Sequence, residues 1–383
     1  MKILHTSDWH IGKRLLGRQR LQEQSQALDE LADICEQEQI ELVLIAGDIF
    51  DTYTPCAEAE ELFFSKIKKI AGETRAVLLI SGNHDDGIRL SAVSPLSEEQ
   101  GVYIVGNART PVGATNRPVK PCQSGKGYVV FENAKGERVF IATLPYPNEA
   151  RFKEEKSELA YPERIRAWID EGLNANEQNL PSVLLAHIFV AGGKVSDSER
   201  EIDLGGARAV PLEYLPQVDY IALGHLHKKQ RMGKAHCYYS GSLLQYSFDE
   251  TADKGVKVFE LSSDGVQNLR DIPLQSGKKL VRLETDGVES ASELLKQYPD
   301  CLVELKLVLS APLTSSDSAF LVAYENLVSL LTEVRNEETL QFQSRKGLSD
   351  SALFDAFYKS AYGAEPKAEL KDLFLTTLNE LSV

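Results

Sequence analysis

The chain has no paired cysteines, no long apolar run and no surplus of positive charge. Its five cysteines (Cys35, Cys56, Cys122, Cys237 and Cys301) are scattered singly. An odd count without a Cys-x-x-Cys pair argues against a disulfide framework and a zinc ribbon. No stretch approaches the ~18 apolar residues needed to span a bilayer. The apolar part of the N-terminus is far too short for the core of a secretory signal. The expected compartment is a reducing cytoplasm. Asp and Glu outnumber Lys and Arg by 57 to 42, for a formal charge of −15. That balance excludes a uniformly basic nucleic-acid clamp. Internal repeats, low-complexity tracts and blocks of five like charges are also missing. What is present is 383 residues, 43% hydrophobic, enough for two or three domains with a real core.

The first ~275 residues alternate apolar runs with amphipathic stretches, the pattern of α/β architecture. Strands are predicted at Lys2–His5, Leu42–Ala46, Ala76–Ile80, Val102–Val105, Val183–Ala186 and Tyr220–Leu223. Helical spacing marks Leu21–Gln39 and Ala57–Ala71. Tyr128–Glu132 and Arg138–Thr143 read as a hairpin, and Arg109–Gly127 reads as loop. Composition shifts near Gln275–Lys279. Beyond it come a strand-like Leu280–Leu283, a helical Ala291–Gln297, a strand-like Leu302–Leu309 and a long helical Ser318–Val334. Ser349–Leu381 holds two helical patterns split at Gly363–Pro366.

The informative feature is what ends the apolar runs. The first leads into Asp8-Trp9-His10, the second into Gly47-Asp48-Ile49-Phe50-Asp51, and the third into Gly82-Asn83-His84-Asp85. Val183–Ala186 leads into His187, and Tyr220–Leu223 into Gly224-His225-Leu226-His227. In open α/β sheets, sites form at the carboxyl ends of strands. Residues two apart in extended backbone point the same way, so Asp8 with His10, and His225 with His227, can each reach one centre. Carboxylate, imidazole and amide oxygen together suit manganese, iron or zinc, and suit calcium poorly. Each fragment alone is commonly a turn or a solvated loop end. However, five of the seven histidines sit at these strand ends, which core packing does not account for. His5 and His236 read as ordinary strand residues.

In this order, Asp-x-His, Gly-Asp-x-x-Asp, Gly-Asn-His-Asp, a later lone His and Gly-His-x-His resemble the calcineurin-like metallophosphoesterases. Ile3–Gly12, Ala46–Thr52, Ala186–Arg200, Tyr220–His227 and Tyr239–Glu250 narrow the resemblance to the SbcD family of bacterial nuclease subunits. It runs from residue 1 to about 275; the C-terminal ~100 residues match only in layout. The resemblance implies an α/β fold: a metallophosphoesterase β-sandwich with flanking helices, a small α+β cap and C-terminal helices. The implied domains are 1–275 for the nuclease, 276–348 for the cap and 349–383 for docking a partner. It implies two divalent ions, with manganese the expected metal. Asp8, His10 and His227 would hold one ion, Asn83, His187 and His225 the other, and Asp48 both. His84 would act at the leaving group, with Asp51 placed to orient it. Asp85 is either a supporting or a purely structural carboxylate.

The implied reaction is metal-dependent hydrolysis of DNA phosphodiesters, exonucleolytic and endonucleolytic, at double-strand ends and hairpins. The implied partners are DNA and an SbcC-type coiled-coil ATPase, in a heterotetramer built on a homodimer to which Leu21–Gln39 contributes. Two alternatives share the motifs: a small-molecule phosphodiesterase or phosphatase, and a non-catalytic scaffold. Basic residues flank the first and last motifs: Lys13, Arg14, Arg18 and Arg20, then Lys228, Lys229, Arg231 and Lys234. Their position beside the ligands favours phosphate contacts over solvated loops. Arg89 and Lys194 are weaker candidates. Phe50 is expected in the core, and Trp9 either in the core or stacked on bases.

Overall fold

The structure is a computed structural model. It describes residues 1–107, 110–147, 159–199, 208–233, 236–335, 350–362 and 365–381. Two sheets carry most of the chain. The first runs β13-β12-β1-β2-β3-β4 and the second β10-β11-β9-β8-β7-β6-β5. Their strands are β1 (Lys2–Thr6), β2 (Leu42–Ile45), β3 (Ala76–Ile80), β4 (Val102–Val105), β5 (Lys120–Gly125), β6 (Tyr128–Glu132), β7 (Arg138–Leu144), β8 (Ser182–His187), β9 (Tyr220–Gly224), β10 (Gln230–Arg231), β11 (Cys237–Tyr239), β12 (Gly255–Ser262) and β13 (Gly265–Pro273).

Alternation along each strand gives both sheets two apolar faces to bury. In β2, Leu42 and Leu44 face the second sheet, where they join Val183, Leu185, Tyr220 and Ala222. Val43 and Ile45 face the other way. There they meet α1 (Leu21–Gln37) and α2 (Ala57–Ala71), which present Leu28, Leu31, Phe63 and Ile67. The outer face of the second sheet is closed by α3 (Tyr161–Leu173) through Ile165 and Ile169. A four-layer sandwich with flanking helices results. β1 to β4 pair parallel, as do β7, β8 and β9. The ligand-bearing strands therefore all point one way within their own sheet.

A third sheet, β14-β15-β16, follows. It comprises β14 (Lys279–Thr285), α4 (Val288–Gln297), β15 (Cys301–Leu309), α5 (Ser315–Val322) and β16 (Leu327–Val334). Leu280 and Leu302 pack on Leu15 and Phe248 of the larger domain. Three expectations are corrected. Ser318–Val334 is not one helix. Buried Asn326 breaks it by donating to the carbonyls of Leu295 (2.8 Å) and Tyr298 (2.9 Å). The stretch after it pairs as a strand. Arg109–Gly127 is not all loop, because β5 adds to the edge of the second sheet by main-chain pairing, where a proline such as Pro121 is tolerated. His236 lies one residue before β11 rather than in it.

Residues Met1–Val308 with Leu313–Glu333 form one compact unit, and Leu309–Pro312 with Val334–Val383 another. The second unit contains α6 (Asp350–Tyr362) and α7 (Ala368–Leu381), joined by stacking of Phe354 on Phe374 with centroids 4.2 Å apart. The Gly363–Ala364 part of the predicted break lies outside the described residues.

Candidate metal centre and active site

The seven predicted ligands lie at the ends of β1, β2 and β3 in one sheet and of β8 and β9 in the other. All are buried, none more than 4% exposed. The chain turns sharply to deliver them. Asp8 (φ 53°), His10 (φ 44°), Asp48 (φ 51°) and His225 (φ 107°) all have positive φ. Such strain in non-glycine residues persists only where the surroundings over-determine it, and it clusters at functional sites. Here the surroundings are specific. Asp8 N donates to Gly47 O and His10 N to Asp48 O, both at 3.0 Å. His225 N donates to Asp8 Oδ1 at 2.9 Å, and His84 N to Asp48 Oδ1 at 2.8 Å. Gly82 and Gly224 are required by space. A Cβ on Gly82 would meet Asp48 Oδ1 at 2.0 Å, and one on Gly224 would meet Ala46 O at 1.8 Å.

Three groups bring possible donor atoms within 4.8 Å of one another: Asp8, His10 and His227; His10, Asp48 and His84; and Asp48, His187 and His225. His10 Nε2 lies 3.0 Å from His227 Nε2 and 3.5 Å from Asp48 Oδ2. His187 Nε2 lies 3.4 Å from Asp48 Oδ2 and 2.8 Å from Asn83 Oδ1. Asn83 Oδ1 is 3.0 Å from His225 Nδ1. His187 Nδ1 donates to Ala46 O at 2.7 Å, which turns its other nitrogen to the centre. Asp48 thus sits between two clusters of donors.

The electrostatics match a cation-binding role. Burial pushes the His10 and His225 imidazoles down to about 3. They are therefore neutral and offer lone pairs near pH 7. Burial also raises Asp8, with Asp48 adding to the effect. Burial works against Asp48 as a carboxylate too, but His187, His84 and His10 hold it well below the usual range. Desolvation would lower His187, yet Asp48 and Asp8 raise it to about 9. Without metal, a proton on His187 thus compensates part of the buried negative charge. The buried Nε2 of His225 has no hydrogen-bond partner. The donor set itself fits a cation: Asn83 Oδ1 lies 3.0 Å from His225 Nδ1, and Asp48, His187 and His225 come together, so carboxylate, amide oxygen and imidazole converge as a divalent ion requires.

Around this centre, His84 Nδ1 donates to the main-chain oxygen of Asp51 at 2.7 Å, while the Asp51 carboxylate lies 3.8 Å away. That carboxylate pairs with Lys13 at 3.0 Å and lies 3.4 Å from His10 Nδ1. Asp51 thus meets His84 chiefly through its backbone. Asp85 accepts from the amides of Ile49 (3.1 Å), Phe50 (2.9 Å) and Gly82 (2.8 Å), tying the Asp48 loop to the Asn83 loop. Trp9 is fully buried, donates to Thr6 Oγ1 and packs on Phe63, so it belongs to the core, as does Phe50.

The flanking cations divide. Arg20 is buried and committed to Glu23 and the Gln245 carbonyl, so as a phosphate contact it is corrected to a structural residue. Arg18 reaches the Glu325 carbonyl, and Lys228 pairs with Asp249 at 2.7 Å. Arg89 pairs with Glu60. Arg14 and Arg231 are exposed at the surface, and Lys13 and Lys229 are partly so. Lys234 lies outside the described residues. Sequence reasoning missed two supports. Gln24 of α1 is buried, donates to His10 O at 2.7 Å and accepts from Gly12 N at 3.0 Å. Buried Glu199 and Glu250, with partly buried Ser198 and Lys254, back His227. Their sequence signal was that Ser198, Glu199 and Glu250 fall within the stretches Ala186–Arg200 and Tyr239–Glu250 that carry the family resemblance.

The calcineurin-like phosphoesterase profile matches residues 1–229. The SbcD subunit of the SbcCD nuclease from Bacillus subtilis (strain 168) is 38% identical over 73% of this chain and 71% of its own length. The chain belongs to the calcineurin-like phosphoesterases, in the family of SbcD nuclease subunits. The Staphylococcus epidermidis member is 30% identical over 94% of this chain and 93% of its own length. By that membership, this SbcD-family chain is a phosphodiester hydrolase of the nuclease kind that uses divalent metal. Among solved structures, a dimetal phosphatase from Danio rerio is 13% identical, with TM-score 0.41 over 72% of this chain and 99% of that one. No helix among the described residues is long and apolar enough to cross a membrane.

Proposed function

We propose that the chain is a two-metal DNA nuclease, the catalytic subunit of an ATP-driven break-processing complex. The observation that carries this reading is the pair of buried donor clusters meeting at Asp48. Asp8, His10 and His227 would hold one ion, Asn83, His187 and His225 the other, and Asp48 both. Manganese is the metal we expect. Bound ions supply electrophilic activation of the phosphodiester and of its attacking water. His84 keeps one nitrogen bonded to Asp51 O and presents the other to the departing oxygen, where it stabilises charge or gives a proton. Lys13, Arg14, Arg18, Lys228, Lys229 and Arg231 would steer the DNA backbone.

The proposed domains are 1–275 for the nuclease, 276–348 for the cap and 349–383 for docking an SbcC-type coiled-coil ATPase. Exposed Phe357, Leu370 and Leu373 on α6 and α7 support that docking role. The expected assembly is a homodimer within a heterotetramer, in the cytoplasm. A cleavage assay on linear double-stranded, single-stranded and hairpin DNA, with a generic phosphodiester alongside, tests the reading. Manganese-dependent DNA cleavage that stops with EDTA is expected. Undiminished cleavage in excess EDTA, or hydrolysis of the generic ester alone, would reject it.

A further inference from the structure

Behind His227 lies a charged pair largely withdrawn from solvent. Glu250 is 2% exposed, and Lys254, whose side chain is 10% exposed, pairs with it. Taking such a pair out of water is costly before its partners offset the loss, so its presence needs a reason. The contacts supply one. Glu250 accepts from Ser198 Oγ, and Ser198 Oγ also meets His227 Nδ1. A carboxylate only accepts, so the hydroxyl proton points to Glu250. The hydroxyl oxygen is then left to accept from His227 Nδ1–H. That places the imidazole proton on Nδ1 and the lone pair on Nε2. Nε2 is the nitrogen that lies 3.0 Å from His10 Nε2.

The rest of the group fixes the ring in position. Glu199 accepts from His227 N at 2.7 Å. Lys254 donates to His227 O at 2.8 Å and to Ser242 Oγ at 2.8 Å. Glu250 itself is anchored through Gln245. The Gln245 amide donates to Glu250 O and accepts from Leu280 N, at the start of β14, at 2.9 Å. Two residues before Glu250, Phe248 packs against Leu280 and Leu302 of the third sheet. A continuous path therefore runs from the small sheet to one candidate metal ligand.

We infer that Glu250, acting through Ser198, is a positioning residue that sets the tautomer of His227 and so the affinity of one of the two metal positions. The inference rests on the metal-site reading above and adds to it the residue that selects the ligating nitrogen. General experience with groups behind metal-bound histidines puts the effect of their loss at roughly 10–100-fold in affinity.

The test uses the full chain and manganese alone. Calorimetric titration of the wild type should show two ions. Glu250→Leu with Lys254→Met removes the acceptor without leaving a lone buried charge. In that variant one ion should bind about 10–100-fold more weakly, while the other and the melting temperature of the metal-free chain hold. Glu250→Gln keeps an acceptor oxygen and should retain most of the affinity. Nitrogen-15 histidine spectra of the metal-free chain should show His227, assigned by comparison with His227→Asn, protonated at Nδ1. Two ions at wild-type affinity in the double variant, or His227 protonated mainly at Nε2, would overturn the assignment. A wild type that takes up no ion would instead sink the metal-site reading, and this inference with it. If the double variant does not fold, Ser198→Val removes the hydroxyl while the Glu250 carboxylate stays 3.5 Å from His227 Nδ1; wild-type affinity with the proton still on Nδ1 would then overturn the action through Ser198.

Discussion

His84 donates from Nδ1 to a main-chain carbonyl, and that one contact decides which of its nitrogens faces a substrate. His84→Gln should lower turnover by about 10²–10⁴-fold, the usual contribution of a positioned acid or charge stabiliser. Manganese binding measured by calorimetry should stay unchanged, because the proposed ligands do not include His84. Wild-type cleavage rates would remove it from the chemistry. His5 makes a different prediction. It is fully buried, bonded to Tyr220 Oη and Leu223 O, and burial with nearby Lys257 lowers it from 6.5 to about 3. The folded chain thus binds fewer protons here than the unfolded chain between those values. Stability contributed at neutral pH is lost as pH falls through that window, by about 1.4 kcal/mol per pH unit for this group alone. Denaturant melts from pH 7 to 4, a window in which His10 and His225 add to the slope, should be steeper in the wild type than in His5→Gln by that amount. An unchanged slope would mean that His5 is not held neutral.

At the scale of the element, the decisive contact is where the end of β9 meets the end of β2. Gly224→Ala would drive a methyl into Ala46 O. Overpacking of this kind typically costs about 1–3 kcal/mol, and rigid backbone on the far side should place this case at the upper end of that range. Thermal melts should register that loss, together with weaker manganese uptake, since the same contact sets the spacing of ligands from the two sheets. A fully stable Gly224→Ala chain would show that the sheets can part there without consequence. The elements themselves were largely legible. β3 and β4 match the predicted spans end to end, because fully buried parallel strands read as unbroken apolar runs bounded by turn residues. The Ser318–Val334 stretch was not, because its split depends on Asn326 finding carbonyls that belong to α4 and the turn after it. Motif residues at strand ends were readable because each lies next to the strand that delivers it. The support behind His227 was not, because Ser198, Glu250 and Lys254 meet only after two distant loops fold together. Arg20 was misread for a related reason. Arg14 and Arg18 precede it, but its guanidinium is held by Glu23, three residues on, and by the distant Gln245 carbonyl.

For the whole molecule, the candidate centre straddles two sheets, so metal held there would stabilise the fold. Free manganese at about 100 times its dissociation constant should add about 2.7 kcal/mol per independent site. A calorimetric melt should shift upward with metal and return on chelation; a melt indifferent to both would contradict a folded-state site. The net charge of −15 is compatible with nucleic acid because two buried aspartates lie at the proposed cation centre, while exposed Arg14 and Arg231 flank its motifs. The split of the ligands has a further consequence in time. Asp8, His10, Asp48 and Asn83 are synthesised first. His187 follows more than a hundred residues after Asn83, and His225 and His227 later still. A growing chain therefore carries the carboxylates and the amide with one of the four candidate imidazoles beside them, and the proposed ligand set is completed only once His227 has been added.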